Sequence, residues 1–187
     1  MLRELYAQVR DDPFWKRSDM GAIFVPGWGS LQDQGLVLLG EAPGGDEERS
    51  RKPFVGAAGR NLTQLLQEIG LTRDDVYITN LVKFRPVNER GGNRTLRIGE
   101  QRHAVPFLRE ELRILGPRLV VCLGLPAARA ILGGSGMRMN EVSGKSFHGC
   151  HFLTMVTYHP SPLNTCNPAR REALHSAFSR IRDLLKF

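Results

Sequence analysis

Four runs of apolar residues recur along the chain, with stretches between and after them in which apolar positions return every third or fourth residue. LVLLG (36–40) is unbroken, as expected of a strand covered on both faces. VYITN (76–80), RLVVCLG (118–124) and FLTMVTY (152–158) predict three more strands, the last after a short hairpin around Gly144–Gly149. Leu62, Leu65, Leu66 and Ile69 place one apolar stripe on a helix over 58–70. Val105, Leu108, Leu112 and Leu115 do the same over 98–115. PAARAIL (126–132) opens a third helix, and Leu174, Phe178, Ile181 and Leu185 mark a last one over 169–186. A polar loop rich in Arg and Gly covers 83–97.

Strand and helix thus alternate four times. That alternation argues for an α/β fold with one parallel sheet and helices on both faces. In open sheets of this kind, ligands bind beyond the carboxyl ends of the strands. The residues that end or follow the strands are Glu41, Asn80, Gly124 and His159. A carboxylate, a carboxamide and an imidazole would therefore meet on one rim.

Composition narrows the partner. The 187 residues suit a single domain over 1–187, with 1–35 an N-terminal helical and loop extension packed on it. The net charge is +7, and Arg supplies most of the cations, which suits a phosphate-rich partner. No apolar run approaches a membrane span, and the N-terminus lacks the apolar core of a signal peptide. A cytoplasmic protein with no membrane partner is the expectation. Cys122, Cys150 and Cys166 form no CxxC and are read as packing residues.

Each rim residue alone has an ordinary explanation. Glu41 and Asn80 suit caps or turns, and His159 before Pro160 suits a structural histidine. GEAPGG (40–45) lacks the GK[ST] ending of a P-loop, and GLPAAR lacks the later glycines of a dinucleotide fingerprint. Together the residues make more. Asn80 offers a donor and an acceptor in one plane, able to read a base edge. Phe54, in KPFVGAAG, could stack on that base. His159 could stabilise charge growing on a leaving group. Glu41 or Glu47 could orient water, or stabilise a sugar cation.

GEAPGGDE (40–47), PFVGAAG (53–59), YITNLVKFRP (77–86) and YHPSPL (158–163) resemble, in this order, the motifs of the uracil-DNA glycosylase superfamily, family 4 above all. The resemblance implies a three-layer α/β/α sandwich around a central four-stranded parallel sheet. It implies a monomeric DNA-repair glycosylase that flips deoxyuridine out of DNA and hydrolyses its N-glycosidic bond. The base pocket would be built from Ala42, Gly44, Glu47, Phe54 and Asn80, with Glu41, Asn80 and His159 as the catalytic set. Phe54 would stack on uracil, Asn80 would pair with its Watson–Crick edge, and His159 would face O2. Ser161, Pro162 and Leu163 would touch DNA, with Leu163 as a wedge in the gap left by the flipped nucleotide. Arg85, with other basic residues near 83–97, and Gly44 would grip phosphates.

Two departures from the family pattern stand out. Family 4 enzymes hold an iron–sulfur cluster on four cysteines, whereas here Phe84 and Ala104 stand where two of these would be. The chain is therefore expected to use neither metal nor organic cofactor. Trp15, Trp28, Phe84 and Phe107 would pack the N-terminal region and 83–106 instead. Ala42 also takes the place of the Asp of the best-known members, and Gly44 that of a Tyr that blocks the thymine methyl. The missing Asp leaves a rival reading open, a module that binds uracil-containing or abasic DNA without cutting it. A nucleotide-cofactor enzyme and a branch that captures DNA covalently are weaker rivals. The chain shows neither a full cofactor fingerprint nor the histidine-bearing loop of that branch.

Overall fold

The computed structural model describes residues 1–30, 35–134, 136–149 and 151–185. After helix α1 (Leu2–Asp11) and a short strand β1 (Trp28–Gly29), the chain enters the central strand β2 (Leu36–Gly40). Helices α2 (Gly45–Ser50) and α3 (Ala57–Glu68) lead to β3 (Tyr77–Asn80), and α4 (Ile98–Leu115) leads to β4 (Leu119–Leu123). Then come α5 (Leu125–Leu132), α6 (Met139–Val142), β5 (Ser146–His148) and β6 (Leu153–Thr157). The described chain closes with α7 (Pro162–Thr165) and α8 (Pro168–Leu185).

The strands form one sheet in the order β1-β3-β2-β4-β6-β5. The inner four, β3-β2-β4-β6, are parallel, as the apolar runs predict. The edges differ from the expectation. β1 adds to β3 and β5 to β6, both antiparallel, so among the described residues the sheet has six strands, with the expected parallel four at its centre. The β5–β6 pair is the hairpin expected near Gly144–Gly149.

Alternate residues of each inner strand point to opposite faces, and both faces are covered. Val37, Leu39, Val120, Cys122 and Val156 pack with Leu108 and Leu112 of α4 and with Ala127 and Ala128 of α5. Leu36, Leu38, Ile78, Val121 and Met155 pack with Leu62 and Leu66 of α3 and with Leu174 and Phe178 of α8. This doubly covered sheet is why LVLLG reads as an unbroken apolar run. The chain crosses from β2 to β3 on one side and then from β3 past β2 to β4 on the other, leaving a crevice at the carboxyl ends.

The N-terminal region docks on α4 through aromatic rings. Trp15 stacks near Phe84 with centroids 6.0 Å apart, Phe24 meets Phe84 edge-on, and Phe14 lies 3.8 Å from the His103 ring. Phe107 closes on His103, whose Nε2 lies 2.6 Å from an Asp12 carboxylate oxygen. Phe84 and Ala104 are buried in this same core, and neither side chain carries a metal donor. Trp28 departs from the expectation. β1 carries it to the sheet edge, where Lys52 and Arg73 lie over its ring.

Candidate active site

Beyond the carboxyl ends of β2, β3 and β6 lies a cavity of about 430 Å³. Its walls include Ala42 and Gly44 from the turn after β2, Asp46 and Glu47 from the start of α2, Phe54 from the next loop, and Asn80 and His159 from two strand exits. Arg85 and Asn93 close it from the loop after β3.

The floor depends on an absence. A Cβ on Gly40 would stand 2.7 Å from the Phe54 ring and closer still to Asn80 Oδ1. Only glycine lets the carboxamide and the ring approach the strand end together. Phe54 itself is buried and adopts φ = 53°, a left-handed conformation unusual for a bulky side chain. Tethers on both sides hold it there. Arg73 donates to the carbonyls of Pro53 and Phe54, each at 2.8 Å. Glu47 Oε1 accepts from the N–H groups of Val55 and Gly56, both at 2.9 Å, and its Oε2 accepts from Gly44 at 3.0 Å. One carboxylate thus fastens two loops to each other.

Asn80 is buried at the end of β3. Behind it, Lys83 Nζ donates to the Asn80 carbonyl at 2.6 Å and to a Glu111 carboxylate oxygen at 2.6 Å. Glu111 also accepts from Thr79 at 2.9 Å and from Tyr6, whose hydroxyl lies 2.7 Å from that of Tyr77. Burial pushes the Lys83 ammonium down from its ordinary value, and the Glu111 carboxylate opposes that shift. Breaking such a pair is costly, so it pins the strand end that presents Asn80.

His159 faces the cavity with its ring centroid 5.6 Å from that of Phe54. Burial lowers its pKa, against the opposing charge of Glu47, so the imidazole is neutral at neutral pH. Its backbone is held in turn. Its carbonyl accepts from Asn164 at 2.8 Å, and the Pro160 carbonyl accepts from Asn61 at 2.8 Å. Ser161, Pro162 and Leu163 follow outside the cavity, and Leu163 is 77% exposed on α7.

Two candidates stand elsewhere than the sequence suggests. Glu41 is not among the lining residues. Its carboxylate instead accepts from the Leu96 N–H at 3.1 Å, and burial raises its pKa against that hydrogen bond. Arg85 lines the cavity, but its guanidinium is engaged by Asn93 (2.6 Å), the Gly91 carbonyl (2.8 Å) and Glu48 (3.3 Å). Arg73, Glu111 and Asn93 are the residues sequence reasoning passed over, and Lys83, expected among the phosphate-gripping cations near 83–97, is buried against Glu111 instead. Its place three residues beyond Asn80 is what lets it reach back to the Asn80 carbonyl.

The chain that gathers Phe54, Asn80 and His159 beyond its strand ends belongs to the uracil DNA glycosylase superfamily, which residues 26–181 match. Within it, the chain is similar to proteins named type-4 uracil-DNA glycosylase. It is 38% identical to that of Pyrobaculum aerophilum over 87% of this chain and 81% of the relative, and 38% identical to that of Archaeoglobus fulgidus over 86% and 81%. A type-5 uracil-DNA glycosylase of Pyrobaculum aerophilum is 35% identical over 75% of this chain and 66% of its own length.

Proposed function

We propose that this protein is a monofunctional uracil-DNA glycosylase of DNA repair, which hydrolyses the N-glycosidic bond of flipped deoxyuridine and leaves an abasic site. The observation that carries the reading is the convergence of Phe54, Asn80 and His159 on one cavity of base size in a chain of this superfamily. Phe54 offers its face to the uracil ring. The Asn80 carboxamide pairs with the N3–O4 edge, where its donor and acceptor match uracil and mismatch cytosine. Neutral His159 donates toward O2, where negative charge grows as the bond to the sugar breaks. Water adds to the sugar carbon, and the uracil anion leaves to take up a proton.

The sugar becomes cation-like in that step. Of Glu41 and Glu47, it is Glu47 that lines the cavity, and its charge is the better placed to stabilise that cation. Glu41 becomes a positioning residue, holding the 94–97 segment through Leu96. Leu163, projecting from α7, is the apolar wedge that offsets the cost of unstacking, and Ser161 is the phosphate contact. The net charge of +7 supplies affinity without sequence preference.

Ala42 lines the cavity without offering a carboxylate, and this favours the rival reading of a binder that does not cut. A labelled oligonucleotide with one deoxyuridine, treated with alkali after incubation, separates the two. Strand cleavage that Asn80→Ala abolishes supports the glycosylase. A retarded uracil-specific complex without cleavage would establish the binder instead.

A further inference from the structure

Phe54 and His159 come from distant parts of the chain, yet their rings stand 5.6 Å apart at one cavity. A hydrogen-bond donor to the leaving base works only at a fixed distance from the face that holds the base. A misplacement of 1 Å can cost about a hundredfold in rate. Something outside both residues must therefore set their spacing.

Helix α3 touches both sides. Gly56 caps it two residues after Phe54, and Glu47 holds the Gly56 N–H. Its first turn lies hard against the Phe54 turn, since a Cβ on Gly59 would collide with the Phe54 carbonyl. Two residues further on, Asn61 reaches the His159 turn. Its Nδ2 donates to the Pro160 carbonyl at 2.8 Å and to Thr165 Oγ1 at 3.2 Å. Pro160 precedes Leu163 and Thr165 follows it, so one amide nitrogen holds both ends of the turn that starts at His159.

Other hydrogen bonds of this turn are local. Asn164 Nδ2 donates to the His159 carbonyl at 2.8 Å, and Thr165 Oγ1 donates to the Ser161 carbonyl at 3.3 Å. Such bonds shape the turn but move with it. The Asn61–Pro160 bond joins residues 99 apart in sequence and places the turn against a separate element. Pro160 is buried, so a carbonyl left without this donor must shift to find another.

We infer that Asn61 is a positioning residue, which fixes the His159 turn to α3 and so sets the spacing of His159 from the Phe54 ring across the bound base. The inference rests on the glycosylase reading for what His159 does there.

A double-mutant cycle with His159→Ala separates positioning from a merely structural role. Asn61→Leu keeps the branched shape and removes the donor. Alone, it should slow single-turnover excision of uracil from a single-stranded oligonucleotide about tenfold or more, with the Kd for that oligonucleotide little changed. In the His159→Ala background it should leave the remaining rate nearly unchanged, because the group it places is gone. Binding of free uracil, measured by titration calorimetry, should show the same dependence. Thermal melts accompany each variant, with Asn61→Ala in place of Leu if Leu does not fold. Equal losses in the two backgrounds, or an unchanged rate in Asn61→Leu, overturn the inference. If wild type excises nothing but binds uracil, and Asn61→Leu weakens that binding only where His159 is present, the positioning stands and the glycosylase reading falls.

Discussion

Glu100, one turn into α4, is 1% exposed and is the hub of a charged cluster beside the site. Arg94 grips it with two hydrogen bonds of 2.8 Å, Arg17 donates a third, and the Arg97 N–H donates at 2.8 Å. Burial alone would raise its pKa, but these donors and the charges of Arg94 and Arg17 overcome it and hold the carboxyl at about 2, against 4.5 unperturbed. The folded value lies below the unfolded one, so between these values the unfolded chain binds more protons and stability rises with pH. The difference of about 2.5 units corresponds to about 3 kcal/mol, fully present above pH 4.5 and lost as pH falls toward 2. Glu100→Gln should therefore cost about 3 kcal/mol at pH 7, or about 10 °C in Tm for a chain of this size. Urea unfolding of both proteins at pH 7 and pH 3 is the assay, and the gap between them should shrink to less than half at pH 3. A gap under 1 kcal/mol at pH 7, or one that does not change with pH, would refute the reasoning. Such a result would mean that the Arg17–Arg94 cluster repels as much as Glu100 attracts.

Gly40→Ala should cut kcat/KM on uracil-containing DNA at least tenfold, because the new Cβ displaces the Phe54 ring and the Asn80 carboxamide; retained activity with an unchanged fold would show the floor to be looser than it looks. Leu163→Ala should slow excision from duplex DNA about tenfold and from single strands much less, since only the duplex needs its gap filled; equal losses on both would remove the wedge. Neutral His159, with its pKa held below the ordinary value by burial, should leave the rate flat from pH 7 upward. A steep fall just above pH 7 would mean that the charged imidazole does the work.

The sheet was legible because burial on both faces writes itself into sequence as unbroken apolar runs, and helices α3, α4 and α8 because their stripes are long. β1 was not, since two residues at an edge carry no period. The rim residues were legible from the rule that sites lie beyond strand ends, and Phe54, Asn80 and His159 do meet in one cavity. Where the Glu41 carboxylate turns was not legible, because adjacency to a strand end does not set it; the Leu96 N–H holds it. The partners of Arg85 were equally hidden, since Asn93, the Gly91 carbonyl and Glu48 meet its guanidinium only in the fold. Arg73 could not be foreseen at all. It reaches the Phe54 turn across about twenty residues of chain, and only the folded geometry brings it there.

The fastening of Phe54 by Arg73 and Glu47 has a consequence for where the work of recognition is done. With both loops tied down during folding, little ordering is left for an arriving base to impose. The deformation of the encounter then falls on the nucleic acid. Rates across sequence contexts would follow the opening energy of each base pair and its stacked neighbours, fastest where the duplex is already loose. The protein would act as a rigid gauge that samples DNA for weakness.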